Sequence, residues 1–312
     1  MRGVLCLLAT ALSICSVSAA DQKVPVTTLT FTPDGTSLLS NASRSIEIRS
    51  PQDATIQSRF ACDLAKITCL TFHPKSATLA AAGGEPGVRG AILLFDWPSQ
   101  KLRRRLECPD DLLSAIAFSP DGTLLASAGA DHIARIWKFP EATPAFSLTG
   151  HAAPVLSIAF NPNGESIVTA SADRSIKVWS AKDGMLLRTF THHLESVNAL
   201  AFRPGLPATC ATASDDRTVR VWQPETGRMV RIIRNHRQSI QTVTYSADGR
   251  SLFAAGREGI IRRFDADSDI LTNEWNLKSD WIYTLTPSPD GKTLAAGDWS
   301  GTIHIIPLPP KK

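Results

Sequence analysis

Histidine, serine and aspartate recur together in the middle of this chain, and these are the residue types of a hydrolase triad. In such a triad the histidine takes the proton of the serine hydroxyl, and the carboxylate orients the imidazole. The chain carries the three types in two sets, His151, Ser171 and Asp173, then His193, Ser214 and Asp216. One hypothesis is therefore that one of the two sets catalyses hydrolysis.

The arrangement of the sets favours a structural role over catalysis. Ser171 is expected to end a strand, Asp173 to lie in the turn that follows it, and His151 to come from a preceding loop. A nucleophile needs one exposed serine beside an oxyanion hole. A set that is repeated along the chain is instead typical of a structural arrangement, so we predict no catalytic residue here.

Other catalytic and cofactor-binding patterns are absent from the sequence or incomplete. Residues Gly83 to Gly90 are rich in glycine, but no Gly-Lys-Ser/Thr ending follows them. A phosphate-binding loop is therefore not indicated, and we predict a long surface loop. Because no zinc, calcium-loop, haem-attachment or Gly-x-Ser-x-Gly spacing occurs either, we expect no cofactor and no metal.

Composition indicates an ordinary globular protein, with 43% hydrophobic and 20% charged residues and a formal net charge of +4. Basic residues are scattered apart from the run Arg103 to Arg105, so no nucleic-acid partner is indicated. Four cysteines follow the N-terminal region and are expected as small buried side chains, although export would permit disulfides: Cys62, Cys69, Cys108 and Cys210.

The first twenty residues have the pattern of a secretory signal peptide. A basic start is followed by the uncharged run Val4 to Val17 and then by small residues. The run is short for a membrane span, and the small residues fit cleavage after Ala19 or Ala20. We predict a signal peptide at residues 1–20, an uncleaved anchor being the alternative. The mature body, residues 21–312, is then secreted or periplasmic and has no membrane span.

The elements that must position these residues repeat along the chain. An aromatic residue, one further residue and usually a proline, often followed by Asp-Gly or Asn-Gly, return at spacings of 41 to 46 residues. A fixed period of this length is typical of folds in which each repeat needs its neighbours to bury its apolar face. The anchors are Phe31, Phe72, Phe118, Phe160, Phe202, Tyr245 and, in the last repeat, Pro287.

The fourth repeat shows what one unit contains. No stretch has a sustained helical period, and four short β-rich runs alternate with turns rich in glycine, asparagine and aspartate. These runs are residues 155–160, 166–171, 175–179 and 185–190. Four short strands joined by hairpins form one antiparallel sheet.

Repeats three to six resemble WD repeats. The matching residues are Gly150, His151, Ser171, Asp173 and Trp179 in repeat four, and His193, Ser214, Asp216 and Trp222 in repeat five. Repeats one, two and seven match in period and turn chemistry only, and Lys138, Ser180 and Gln223 replace the aspartate that usually follows the tryptophan. The resemblance implies an all-β, seven-bladed β-propeller of four-stranded antiparallel blades. It also implies that these residues form a structural hydrogen-bond network.

The resemblance indicates where a partner would bind. In this family, partners usually meet the face formed by the loops that enter the blades and the turns between second and third strands. By register this face carries Asp215, Arg257 and Trp299, with Trp281 on the same blade as Trp299. Because tryptophan and arginine are typical of interface centres, we predict a non-catalytic scaffold that binds a protein or peptide. The alternatives are a propeller hydrolase or lyase acting on an extracellular sugar or lactone, and a glycan-binding lectin.

The resemblance also predicts how the ring closes. A strand from one end of the chain usually completes the last blade, and by register it falls at residues 15–20. Cleavage of the signal peptide would leave only residues 21–24 for it. We expect a short closing strand; a three-stranded last blade and an uncleaved signal are the alternatives.

Overall fold

The computed structural model describes residues 24–108, 111–205 and 208–309. All regular secondary structure in these residues is β-strand, arranged in seven sheets of antiparallel neighbours in chain order. This part of the chain contains no helix long and apolar enough to cross a membrane.

Each sheet is one blade, numbered here in chain order from the innermost strand outwards. Blades one to three consist of β1 (Leu29–Phe31), β2 (Leu38–Ala42), β3 (Ser45–Arg49), β4 (Ile56–Ala61), β5 (Lys66–Phe72), β6 (Thr78–Glu85), β7 (Arg89–Asp96), β8 (Lys101–Cys108), β9 (Leu113–Phe118), β10 (Leu124–Gly129), β11 (Ala134–Lys138) and β12 (Thr143–Leu148).

Blades four to six consist of β13 (Val155–Phe160), β14 (Ser166–Ser171), β15 (Ile176–Ser180), β16 (Leu186–Phe190), β17 (Val197–Phe202), β18 (Cys210–Ser214), β19 (Val219–Gln223), β20 (Arg228–Ile233), β21 (Ile240–Tyr245), β22 (Ser251–Gly256), β23 (Ile260–Asp265) and β24 (Leu271–Asn276). Blade seven consists of β25 (Ile282–Pro287), β26 (Thr293–Asp298) and β27 (Ile303–Pro307).

Blade four shows how the sequence produces these sheets. Its second strand, β14, is buried along its whole length because the neighbouring blades cover both of its faces. Its outer strand, β16, is exposed up to its last residue, Phe190. In the turn between β13 and β14, Gly164 has a φ of 75° and its N–H donates to the carbonyl of Asn161. Glycine adopts this backbone conformation without a steric penalty.

The apolar core is divided among the blade interfaces. Between blades four and five, for example, Val168 and Val178 belong to the same buried cluster as Leu200 and Trp222. The innermost strands of neighbouring blades contact each other around the whole ring, and β25 contacts β1. Because no blade can bury these side chains alone, the arrangement confirms the predicted seven-bladed propeller.

Blade seven has three strands in the described part of the chain, whereas each of the other blades has four. Ile303 and Ile305 on its outermost described strand are therefore only partly buried. The corresponding Val219 and Val221 of blade five are 0% and 3% exposed. The predicted signal peptide and residues 21–23 of the predicted short closing strand lie outside the described residues, and Val24 is not part of a strand.

The glycine-rich stretch differs from its predicted structure. Instead of a long loop, β6 and β7 extend as a hairpin whose ladder runs to the pair Glu85 and Arg89. A Cβ atom on Gly83 would come within 1.9 Å of the Lys66 carbonyl oxygen, and one on Gly84 within 2.1 Å of the Arg89 carbonyl oxygen. These glycines thus lie in strands whose backbones approach too closely for a side chain.

Cys62, Cys69 and Cys210 are free thiols, and of the four cysteines all but the half-buried Cys69 are buried. Burial raises the pKa of Cys62 and that of Cys210 to about 12, so both remain protonated. They pack in the clusters between blades as small apolar side chains.

Candidate functional site

A buried chain of hydrogen bonds connects a loop, a turn and a strand of blade four. His151 lies in the loop that enters β13, and Asp173 lies in the turn between β14 and β15. His151 Nδ1 is 2.8 Å from Asp173 Oδ2, and His151 Nε2 is 2.8 Å from Thr169 Oγ1. Trp179 Nε1 donates to the same threonine hydroxyl at 2.8 Å. The histidine is therefore bonded at both ring nitrogens.

Blade five repeats this chain. His193 Nδ1 is 2.7 Å from Asp216 Oδ2, and His193 Nε2 is 2.8 Å from Thr212 Oγ1. Trp222 Nε1 donates to Thr212 Oγ1 at 2.9 Å. Two blades thus build the same arrangement from equivalent positions, which fits a structural network.

The serines of the two sets lie beside this chain rather than within it. Ser171 donates to the Ala153 carbonyl at 3.0 Å and accepts from the Asp173 N–H at 3.1 Å. Ser214 likewise accepts from the N–H of Asp216 at 3.1 Å. Each serine links its turn to the entering loop, and its histidine bonds threonine instead. Neither Ser171 nor Ser214 therefore pairs with its histidine. The serine within reach of His151 Nδ1 is Ser175, at 3.2 Å, and its hydroxyl donates to Asp173 Oδ1 at 2.6 Å.

The threonine link was missed in the sequence, although a signal for it exists. Thr169 and Thr212 each lie ten residues before the tryptophan that they bind. Blade three has a hydroxyl at the same distance, since Trp137 Nε1 donates to Ser127 Oγ at 3.1 Å. Threonine inside a strand also fits simple β-propensity, so the pattern does not stand out in one repeat.

The electrostatics of the network keep histidine neutral and aspartate ionised. Burial lowers the pKa of His151 against the opposing effect of Asp173. Burial alone would raise the pKa of Asp173, but hydrogen bonds from Ser175, the Ala152 N–H and His151 outweigh it and lower that pKa to about 2. A neutral imidazole donating to a carboxylate with satisfied neighbours is suited to holding structure rather than transferring protons.

Blade six carries a modified version. His236 Nδ1 accepts from Arg262 Nη1 at 2.9 Å, and Arg262 Nη2 pairs with Glu258 at 2.7 Å. Ala254 occupies the threonine position, and Phe264 occupies the tryptophan position as predicted. His236 Nε2 is buried and has no hydrogen-bond partner among the described residues.

Trp281, Tyr283 and Trp299 form an aromatic cluster on blade seven. Their ring centroids are 6.1 Å apart for the two tryptophans, 6.4 Å for Trp281 and Tyr283, and 5.7 Å for Tyr283 and Trp299. The Trp299 N–H donates to the Trp281 carbonyl at 2.9 Å, which holds the turn after β26 against the start of β25. Trp299 is 51% exposed, and Trp281 is half-buried.

The Arg257 guanidinium completes the cluster from blade six, with its carbon 4.3 Å from the Trp281 ring centroid. The structure thus brings together the three residues that the sequence predicts for one patch. Tyr283 was missed, although its place as the second residue of an innermost strand puts it at the same end of the blade as Trp281.

The fourth predicted residue of the patch, Asp215, is held elsewhere. Its Oδ1 accepts from Asn198 Nδ2 at 2.7 Å and from Gln241 Nε2 at 3.1 Å. Asp215 therefore joins the innermost strands of blades five and six instead of the aromatic cluster. It occupies the turn of blade five that corresponds to Arg257 of blade six.

The enzyme alternative requires carboxylates or histidines gathered around a metal. In residues 24–108, 111–205 and 208–309, no group of three or more histidine, cysteine, aspartate or glutamate side chains is placed to hold a metal ion.

Comparison with known families agrees with this architecture. The model described as WD domain, G-beta repeat matches residues 100–138, 142–180, 184–223, 227–265 and 271–306, more than half of the chain. Each match begins at or near the outer strand of one blade and ends with the third strand of the next, so the sequence repeat bridges two blades. No curated protein matches the chain. From the five matches and the seven blades, the chain belongs to the WD domain, G-beta repeat family.

Proposed function

We propose that this protein is an exported, non-catalytic scaffold that binds a protein or peptide on the propeller face that carries Trp281, Trp299 and Arg257. The observation that supports the proposal is the aromatic cluster with Arg257 over Trp281. Protein-binding surfaces concentrate their energy in tryptophan, tyrosine and arginine side chains that already have a fixed position.

The exposure of Trp299 is the strongest part of this support. A tryptophan that serves only the core is largely buried, as Trp179 and Trp222 are at 2% and 1% exposure. Trp299 instead presents half of its surface to solvent while the stack with Tyr283 and Trp281 restricts its ring. Covering an already ordered ring costs little further conformational entropy.

The non-catalytic part of the proposal rests on the two histidine networks. Both ring nitrogens of His151 and of His193 are engaged, by aspartate and by threonine. A general base needs a ring nitrogen within reach of a substrate proton. The histidine and aspartate of each set thus hold together the elements of their own blade.

Affinity capture from the native compartment tests the binding patch. Bait carrying Trp281→Ala and Trp299→Ala should lose the partners that wild-type bait retains. The matched control is Met185→Ala with Leu187→Ala, which removes two side chains that are 66% and 55% exposed, one just before and one on the outer strand of blade four. Equal capture by the tryptophan variant, with its melting temperature unchanged, would contradict the proposal.

Export is supported by the charge and size pattern of residues 1–20. Intact mass spectrometry of protein collected outside the cytoplasm should give a chain that begins after Ala19 or Ala20. A variant with Val4→Asp and Leu8→Asp within the apolar run should stay inside the cell. Recovery of full-length chain from the exported fraction would favour an uncleaved anchor.

A further inference from the structure

The charges around the aromatic cluster indicate the chemistry of its partner. Three exposed cations, Arg237, Arg257 and Lys278, border the turn of blade six next to the cluster; we call them the cationic arc. The N–H of Arg237 donates to Glu258 in this turn, and the N–H of Leu277, beside Lys278, donates to the carbonyl of Gly259 at 3.1 Å. Arg257 itself lies in the turn and covers Trp281.

No carboxylate among the described residues forms a salt bridge with the cationic arc. Glu258 is the nearest acidic residue in the chain, but its side chain is only 8% exposed and pairs with the buried Arg262 at 2.7 Å. Asp280 is exposed and accepts from the N–H of Trp281 at 3.0 Å, so one carboxylate oxygen caps its own loop, while its negative charge stays near Tyr283. Within the described chain, no salt bridge involves the side chain of any arc residue.

We infer that the partner docks as an acidic peptide segment, with carboxylates on the cationic arc and an apolar side chain on the aromatic cluster; this inference rests on the proposed function. The Arg257 guanidinium carbon is 4.3 Å from the Trp281 ring centroid, and a guanidinium at this place can donate two parallel hydrogen bonds to a carboxylate. A partner without acidic groups would cover three cations that have no salt bridge among the described residues, and a charge without a counter-charge is costly to remove from water. A cationic partner would meet Arg257 on the Trp281 ring and be repelled.

The shape of the cluster favours a side chain over a flat sugar ring. Trp281 is inclined by 46° to Tyr283 and by 47° to Trp299, and Tyr283 is inclined by 35° to Trp299. A leucine or phenylalanine side chain can contact rings set at these angles at once. A pyranose stacks on one ring face and leaves the others uncovered. The two ligand classes therefore separate in a binding experiment.

A random twelve-residue phage-displayed peptide library tests the inference on the folded, full propeller. Wild-type protein should enrich peptides with a net negative charge and at least one large apolar side chain. The double variant Arg237→Glu with Arg257→Glu should enrich basic peptides instead. The variant Trp281→Ala with Trp299→Ala should enrich neither. Both arginines are exposed, so unchanged melting temperatures are the check that each variant is folded.

The outcomes distinguish this inference from the proposed function. Enrichment of neutral or basic peptides that still needs both tryptophans would overturn the inference and leave the binding patch standing. No tryptophan-dependent enrichment would overturn both. Tryptophan-dependent binding of oligogalacturonate without acidic peptides would overturn the peptide assignment. For a selected acidic peptide, Arg257→Gln should raise Kd about tenfold, the loss of one charge-assisted contact, and Met185→Ala should leave Kd unchanged.

Discussion

At the residue scale, a single hydroxyl decides how well each blade network is satisfied. Thr169 and Thr212 serve both a histidine and a tryptophan, whereas blade six has Ala254 at this position and leaves His236 Nε2 without a partner among the described residues. Arg262 donates to His236 Nδ1, the ring nitrogen that is bonded to aspartate in blades four and five. Blade six therefore has an incomplete network, with which the complete networks of blades four and five can be compared.

Replacing His193 by alanine removes the residue that links three elements of blade five. Its loss leaves Asp216 and Thr212 without one hydrogen bond each. The free energy of unfolding should fall by about 1–3 kcal/mol, since stranded buried partners add to the lost bonds. Urea titration of His193→Ala, compared with His192→Ala at the exposed neighbouring position, measures the effect. Equal stability of the two variants would show that the network does not stabilise the fold.

Ala254→Ser should stabilise blade six. Because His236 Nδ1 accepts from Arg262, Nε2 carries the proton and lacks an acceptor. A serine hydroxyl at position 254, the position that Ser127 has in blade three, can accept it. Unfolding free energy should rise by about 1 kcal/mol. The matched control is Ala255→Ser, which buries a hydroxyl on the opposite face and should lower stability. A loss of stability in both variants would contradict the inference that His236 Nε2 lacks an acceptor.

Stability should fall as the pH drops below about 6.5, the ordinary pKa of histidine. Burial, and then the charge of Arg262, lower the pKa of His236 to about 4. Between these two values the unfolded chain binds more protons than the folded chain, so protonation favours unfolding as the pH falls. The cost should reach about 1–2 kcal/mol at pH 5. Urea titrations at pH 7.5 and pH 5 should give a smaller difference for His236→Gln than for wild type or His192→Gln.

At the element scale, side chains near the start of the innermost strands fasten neighbouring blades. Thr27 Oγ1 donates to the Ile67 carbonyl at 2.8 Å, and Thr68 Oγ1 donates to the Leu113 carbonyl at 2.7 Å. Asn198 Nδ2 reaches the Ile240 carbonyl at 2.9 Å in the same way. Leu156 has the corresponding position in blade four and cannot donate a hydrogen bond. The interfaces between blades are thus unequal in polar contacts.

Thr68→Val should loosen the contact between blades two and three. Valine keeps the shape of threonine and removes the bonds to the carbonyls of Leu113 and Ala82. We expect a loss of about 1 kcal/mol in unfolding free energy. Thr71→Val on the same strand is the control, since no hydroxyl bond of Thr71 occurs within the described chain. Calorimetry in which both variants melt alike would rule out the fastening role.

The blades themselves were predictable from the sequence because turn chemistry and period are local. The predicted runs 155–160 and 166–171 coincide with β13 and β14. The extended hairpin of β6 and β7 was not predictable. Gly83 and Gly84 are needed there because the carbonyl oxygens of Lys66 and Arg89 come close to them, and these contacts exist only in the folded chain. The strand position of Tyr283 indicates its end of the blade, but its contacts with both tryptophans were missed because these come from two separate segments of blade seven.

At the scale of the whole molecule, the ring has one junction without a described chain connection, between blades seven and one. One backbone hydrogen bond crosses it, from the Val26 N–H to the Asp298 carbonyl at 3.0 Å. Its buried cluster has five members among the described residues, fewer than any other interface cluster. A cavity of about 260 Å³ also opens there between Phe31 and Thr293. We therefore expect this interface to be the weakest of the described ring.

Hydrogen exchange should therefore detect opening first at the junction of blades seven and one. Amides of β1 and β25 should exchange about tenfold faster than those of β13 and β17, in line with a smaller free energy of local opening. Gly297→Ala should widen this difference, because its Cβ would lie 2.4 Å from Val26 Cγ1 and push the two blades apart. The exchange of β13 and β17 serves as the internal control in the same sample. Uniform protection of all innermost strands in both proteins would mean that the ring opens as a single cooperative unit rather than at this junction.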